Sequence, residues 1–255
     1  MADYLVESAL LSQGIKSITE QELFREWPAK SGPIVWLWKG KCVAGSVEEF
    51  CQVRRQGVLR SRICYQMYDQ ARREGLTGAL TASGTMRACE ELGISLAVSA
   101  GIGGLDRTAG FDRCHDLEAL AVSRIALLAT APKDMFSLSE TLEAVRDAGI
   151  TVLGYDAGCC DGYLFQTEGV KLSGRWGGQK VRGKCLYLQR IPTGKRLADR
   201  KLLEYACRYG EMERNKGGQY HPAVNAYLDE ASSGESSRLQ LKSLIANLAW
   251  AEELT

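Results

Sequence analysis

The chain has 255 residues, 45% of them apolar, enough to bury one sizeable core as a single domain or a domain with a lobe. Lysine and arginine number 32 against 31 acids, so a net charge of +1 gives no general electrostatic footprint for nucleic acid or an acidic membrane surface. Nine cysteines with no C-x-x-C spacing argue against a disulfide framework and a zinc ribbon, and point to reduced intracellular thiols. The first residues, MADYLVESALL, lack a basic segment and carry Glu7 inside the apolar run, and no stretch approaches the roughly 18 apolar residues of a membrane span. A cytoplasmic protein with no membrane partner is the expectation.

In chain order, residues 4–8 read as a strand that places Glu7 after an apolar run. Exposure at a strand edge is the simpler reading; burial would raise its pKa and suit it to proton transfer. Residues 34–38 read as a strand and 63–74 as a helix. From residue 79 the pattern alternates helix and strand, the signature of a mainly parallel α/β sheet covered by helices. Residues 79–92 form a helix closed by Gly93, and 94–98 a buried strand that runs into the glycine-rich turn 99–107. A short helix at 116–122, a strand at 125–129, and a helix at 138–148 opened by a Ser137/Glu140 capping box and closed by Gly149 come next, then a strand at 150–155. Residues 169–184 carry five glycines with Lys171, Arg175, Lys180, Arg182 and Lys184, read as a solvated loop or as a basic flap over an anionic substrate. Helices at about 198–213, 221–231 and 236–253 make a C-terminal helical portion from about 197 of one domain spanning 1–255.

Three places could carry chemistry. The turn after the strand at 94–98 lies at a carboxyl end, where open α/β sheets place ligands; Gly101, Gly103 and Gly104 would let backbone N–H groups approach a sugar or phosphate, with Arg107 adding charge. A turn needing positive φ explains the glycines equally well. The run Asp112, Cys114, His115 and Asp116 packs carboxylates, a thiol and an imidazole together. Metal binding is one reading, with oxygen ligands favouring manganese or magnesium; acids that merely favour a helix start are another. Lys133 sits in a loop between a strand and a helix: ordinary if solvated, but an imine-forming nucleophile if desolvated in a cleft.

Glu7-Ser8, Ala79-Leu-Thr-Ala-Ser-Gly-Thr-Met86, Gly101-Ile-Gly-Gly104 with Arg107, Asp112 with Asp116-Leu117, and Lys133 resemble pseudouridine-5′-phosphate glycosidases in order and spacing. The resemblance continues through Gly154-Tyr155 and Ile191-Pro192 to Asn247-Leu-Ala-Trp-Ala-Glu252. It implies that fold, an enzyme that opens ribose 5-phosphate and holds C1 as a lysine imine, and a C–C bond made to or broken from a heterocyclic base. It further implies Lys133 as nucleophile, Glu7 as proton donor, Asp112 as a manganese ligand, a homotrimer, and Ala82, Cys114, His115 and Asp116 lining the substrate site. A C–C glycosidic bond has no leaving heteroatom to protonate, so an imine electron sink suits it better than a pair of carboxylates.

Departures from the family pattern cluster on substrate contacts. Arg62 stands in place of a substrate-binding lysine, where it could hold phosphate as a bidentate fork. Gln13 and Asp106 stand in place of histidines, and Gly217-Gly-Gln-Tyr-His-Pro222 in place of Gly-Lys-Glu-Ser-Thr-Pro. These changes lean the reading toward a C-glycosynthase of natural-product assembly, with a plain pseudouridine-5′-phosphate glycosidase as the alternative. A non-catalytic sugar-phosphate-binding protein, and a zinc protein built on Cys114, His115, Cys159 and Cys160, are further readings.

Overall fold

The computed structural model describes residues 2–105 and 114–255. In chain order the elements are β1 (Leu5–Glu7), α1 (Glu20–Glu26), β2 (Ile34–Trp38), β3 (Lys41–Gly45), α2 (Val47–Arg55), β4 (Ser61–Ile63), α3 (Tyr65–Arg73), β5 (Gly78–Leu80) and α4 (Ala82–Leu92). After these come β6 (Leu96–Val98), α5 (His115–Val122), β7 (Ala126–Ala129), α6 (Leu138–Asp147), β8 (Thr151–Gly154), β9 (Cys159–Cys160), β10 (Val170–Lys171), β11 (Gly174–Arg175) and β12 (Cys185–Leu188). Three helices end the chain: α7 (Lys201–Asn215), α8 (Tyr220–Ala231) and α9 (Glu235–Leu254).

Among the described residues one ten-stranded sheet runs β11-β8-β12-β7-β6-β1-β2-β5-β4, with β3 paired to β2. Every step is parallel except those from β2 to β3 and to β5. The α/β reading with a mainly parallel sheet therefore holds. Its centre, Leu5, Val6, Ala97, Val98, Leu127 and Leu128, is fully shielded from water, as strands covered on both faces require. Helix α4 lies against β1 and β6, and α9 against β6 and β7.

The antiparallel joint positions the site. Glu7 pairs with Val35, and β5 runs antiparallel along the same edge of β2, opposite the edge taken by β3, with Ala79 opposite Trp36, so the carboxyl ends of β1 and β5 meet near Val35. Ser8 seals the junction, its hydroxyl donating to the Val35 carbonyl (2.6 Å) and accepting from the Leu80 N–H (2.9 Å). Strand β4 runs parallel to β5, with Arg62 opposite Ala79, so its carboxyl end arrives at the same level.

Several boundaries differ from those read in the sequence. Residues 79 and 80 close a strand, and the helix begins only after Thr81, whose side chain accepts the Gly84 N–H. The segment at 61–63 is a strand, so the following helix starts at Tyr65. Ser137 makes no side-chain cap: its backbone N–H donates to the Leu105 carbonyl (3.1 Å), so the reciprocal half of a capping box has no donor left. Gly93 and Gly149 do end their helices at positive φ (70° and 73°). No helix among the described residues is long and apolar enough to cross a membrane.

Candidate active site

One cavity of about 480 Å³ opens where these strand ends converge. Glu7, Arg62, Ala82, Gly101, Cys114, His115, Asp116 and Lys133, eight of the residues singled out from sequence, line it together. Arg107 and Asp112 lie outside the described residues. The basic side chains of 169–184 do not line the cavity, and the segment is not a plain loop: it contains β10 and the sheet-edge strand β11.

Glu7 is buried, not exposed at a strand edge, because β1 is a central strand with neighbours on both sides. Its Oε2 accepts a hydrogen bond from Ser99 Oγ (2.9 Å), the residue just past β6. Burial pushes the Glu7 carboxyl up to about 7, against the opposing pull of Lys133 and of that hydrogen bond. Lys133 is only 7% exposed. Its loop continues the β6–β7 ladder: Ile102 N–H donates to the Ala131 carbonyl (3.1 Å) and Lys133 N–H to the Ile102 carbonyl (3.0 Å). Burial first, and the Arg62 charge second, bring the Lys133 ammonium down to about 8, while Glu7 and Asp116 act the other way. The loop is backed by the neighbouring Asp134, whose carboxylate accepts backbone N–H groups of Tyr163 (3.0 Å) and Leu164 (2.8 Å).

The glycine turn is required for a reason different from positive φ, since Gly101, Gly103 and Gly104 do not adopt it. Space decides. A Cβ on Gly103 would sit 2.7 Å from the Cys114 sulfur, and one on Gly104 2.6 Å from Thr141 Oγ1 and 2.7 Å from Phe136 Cβ. Asp116 ties this turn to helix α4, its two oxygens accepting the Gly103 N–H (2.8 Å) and the Ser83 N–H (3.0 Å). Asn247 of α9 ties the same ends from elsewhere in the chain, donating to the Ser99 carbonyl (2.8 Å) and Thr130 Oγ1 (3.1 Å).

Sequence reasoning missed His221 as a site residue. The first turn of α8 brings its Nε2 to 2.8 Å from Lys133 Nζ, and Phe136 packs edge-on against the ring with centroids 5.9 Å apart. The available signal was a histidine, one of two in the chain, standing at a departure from the family pattern. Desolvation and the charges of Lys133 and Arg62 hold the imidazole well below its ordinary pKa. Tyr220, with Arg214 over its ring at 4.2 Å, and Met67 also line the cavity.

The described residues by themselves do not build a metal centre: no three of His, Cys, Asp and Glu come together among them. The Cys114 thiol is pushed up to about 12 by burial and by Asp116. His115 is half-exposed beside Glu118 (3.7 Å), and Cys159 and Cys160 lie on β9, outside the cavity lining.

Curated relatives include pseudouridine-5′-phosphate glycosidases from Petrotoga mobilis (25% identical, covering 71% of this chain and 65% of that protein) and Gemmatimonas aurantiaca (23% identical, covering 97% and 86%). The match thus spans slightly less than two thirds of the Petrotoga protein. Among solved structures, an indigoidine synthase A (IdgA)-like protein from Thermotoga maritima superposes with a TM-score of 0.79 at 20% identity, covering 99% of this chain and 92% of the other. The prealnumycin C-glycosynthase AlnA, solved in complex with ribulose 5-phosphate, superposes with a TM-score of 0.71 at 19% identity, covering 99% and 91%. Residues 38–193 match the family described as indigoidine synthase A like protein, and the chain belongs to that family.

Proposed function

We propose that this protein is an enzyme that forms or cleaves a C–C bond between ribose 5-phosphate and a planar heterocycle through an imine between Lys133 and sugar C1. The observation that carries the reading is the buried pair at the floor of one cavity, an amine lowered to about 8 beside a carboxyl raised to about 7. Near neutral pH such a pair contains a fraction of neutral amine, the nucleophile, and a fraction of protonated carboxyl, the acid. Two residues with these shifts facing one space mark a functional site better than either alone. The glycosidase relatives and the C-glycosynthase neighbour support the substrate class. The neighbour's ligand is instructive: with its 5-hydroxyl phosphorylated, ribulose cannot close a furanose ring, so that fold accommodates an open-chain pentose phosphate.

In the synthetic direction the neutral Lys133 amine adds to the C1 aldehyde, and loss of water leaves an iminium. A heterocycle carbon attacks C1 while the C=N electrons return to nitrogen, and that carbon then loses its proton. The sugar 4-hydroxyl displaces the lysine amine from C1 and closes the ring. Glu7 supplies and recovers protons at the ring-closing 4-oxygen, and cleavage is the reverse sequence. Arg62, charged and facing the same cavity, holds the phosphate. Ala82 and Gly101 give close approach, Asp116 fixes the cavity wall, and Cys114 and His115 border the ligand with Arg107. Asp112 is the proposed manganese ligand.

We favour the C-glycosynthase over the pseudouridine-5′-phosphate glycosidase, because Tyr220 and His221 now shape the side of the cavity on which the family carries smaller residues. Incubation with pseudouridine 5′-phosphate tests this. Little or no free uracil is expected, and brisk release would establish the glycosidase instead.

A further inference from the structure

We infer that His221 is a catalytic residue, the base that takes the proton from the Lys133 ammonium and returns it to the departing hydroxyl during imine formation. The inference rests on the imine reading and adds a residue to it. The contact itself carries the argument: His221 Nε2 and Lys133 Nζ lie 2.8 Å apart, within hydrogen-bond distance. A hydrogen bond between two basic nitrogens needs one donor and one acceptor, so the pair holds one proton fewer than it would if both were charged. A neutral imidazole is thus in place to accept from the ammonium. Once that proton has moved, the lysine charge that suppresses the imidazole's basicity is gone, so the transfer is less uphill than the resting state suggests.

The steps balance. The ammonium gives one proton to His221, and the freed lone pair forms the N–C1 bond as the carbonyl π pair moves onto oxygen. A second nitrogen proton passes to that oxygen, giving a neutral carbinolamine. The His221 imidazolium protonates the hydroxyl, water leaves, and the nitrogen lone pair forms the C=N bond. Ammonium plus aldehyde has become iminium plus water, with His221 neutral again. Glu7 is bonded to Ser99 on the β1–β6 side and serves the ring-closing 4-hydroxyl, whereas His221 meets the Lys133 nitrogen from α8 and serves that nitrogen and the C1 oxygen. The other charged groups facing the pair are Arg62 from β4 and Asp116 from α5, with Arg214 and His115 also on the cavity lining.

The test compares wild type, His221→Gln and His221→Ala in two reactions. One is borohydride trapping of ribose 5-phosphate on Lys133, and the other is reductive methylation of Lys133 by formaldehyde and cyanoborohydride, which needs no sugar site. Both are read by peptide mass spectrometry from pH 6 to 9. The expectation is a loss of about 10²-fold in the rate of both reactions in His221→Gln, which can still hydrogen-bond but cannot carry a proton. Added imidazole should restore much of the rate to His221→Ala, which leaves room for it beside Lys133, and should do nothing for wild type. Thermal melting reads whether the variants fold. Folded variants with unchanged rates, or a loss in His221→Ala that imidazole leaves untouched, would overturn the inference. Formaldehyde labelling that depends on His221, with no ribose 5-phosphate imine in any form of the protein, would uphold the role of His221 and remove the substrate.

Discussion

Two regions of the molecule carry lysines in or beside glycine-rich segments, and they behave oppositely. Around β10 and β11, Lys171, Lys180 and Lys184 stand in solvent, and Lys184 does no more than donate to the Ala121 carbonyl (3.2 Å). At the carboxyl ends of β1, β6 and β7, Lys133 is enclosed with Glu7, Arg62 and His221, and burial lowers its pKa to about 8. Residue type and a nearby glycine-rich segment are common to both regions. What separates them is depth in the sheet, because a parallel strand order brings several loops over one point while the β11 edge has a neighbour on one side only. Reactivity in this fold is thus a property of position.

The largest effect belongs to Lys133→Ala, which should abolish turnover and borohydride labelling in a protein that still melts cooperatively, whereas alanine at Lys171, Lys180 or Lys184 should change neither. Assay and mass spectrometry of the four variants check this. Glu7→Gln should lower turnover by about 10²- to 10⁴-fold while trapping persists. Glu7 raises the Lys133 pKa, so its removal should move the pH midpoint of trapping below about 8, as a pH series would read directly.

Arg62 pulls the other way. Arg62→Met should move that midpoint upward, and Arg62→Lys should raise KM for the sugar phosphate more than it lowers kcat. An unaltered KM would take Arg62 off the phosphate. Stability gives a smaller signal. A base with a depressed pKa costs the folded state at every pH below its folded value, and the cost fades between about 8 and 10.5. Lys133→Met should therefore stabilise the fold at pH 7 by on the order of 1–3 kcal/mol, with the gain shrinking toward pH 10.5 in calorimetry. The smallest expected change in fold is that of Asp112→Ala, which should weaken manganese binding in a titration without altering the melting temperature.

Much of this contrast was legible before the structure. The period switching from residue 79 onward gives β6, α5, β7, α6 and β8 to within a few residues, and the C-terminal helices follow from their spacing and glycine stops. Glu7 and Lys133 stood out by their places in the chain, but exposure was the simpler reading of each, and the resemblance to the family is what assigned them roles. The joint between β2 and β5 was not legible, because β4 and β5 are three residues each and carry too little period to separate from the helices that follow them. His221 was missed for a related reason: its partner lies 88 residues away, and no local pattern reveals that α8 begins above the Lys133 loop. Cys114 and Asp116 allowed a metal reading by spacing, yet one is a half-buried thiol whose pKa is pushed up and the other a clasp for two backbone amides.

The most direct test of the central claim is peptide mass spectrometry after incubation with ribose 5-phosphate and borohydride. The account predicts a single adduct of one sugar phosphate less one oxygen atom, confined to Lys133 and absent from Lys171, Lys180, Lys184 and Lys195. Label spread over the exposed lysines, or label that survives in Lys133→Ala, would contradict it.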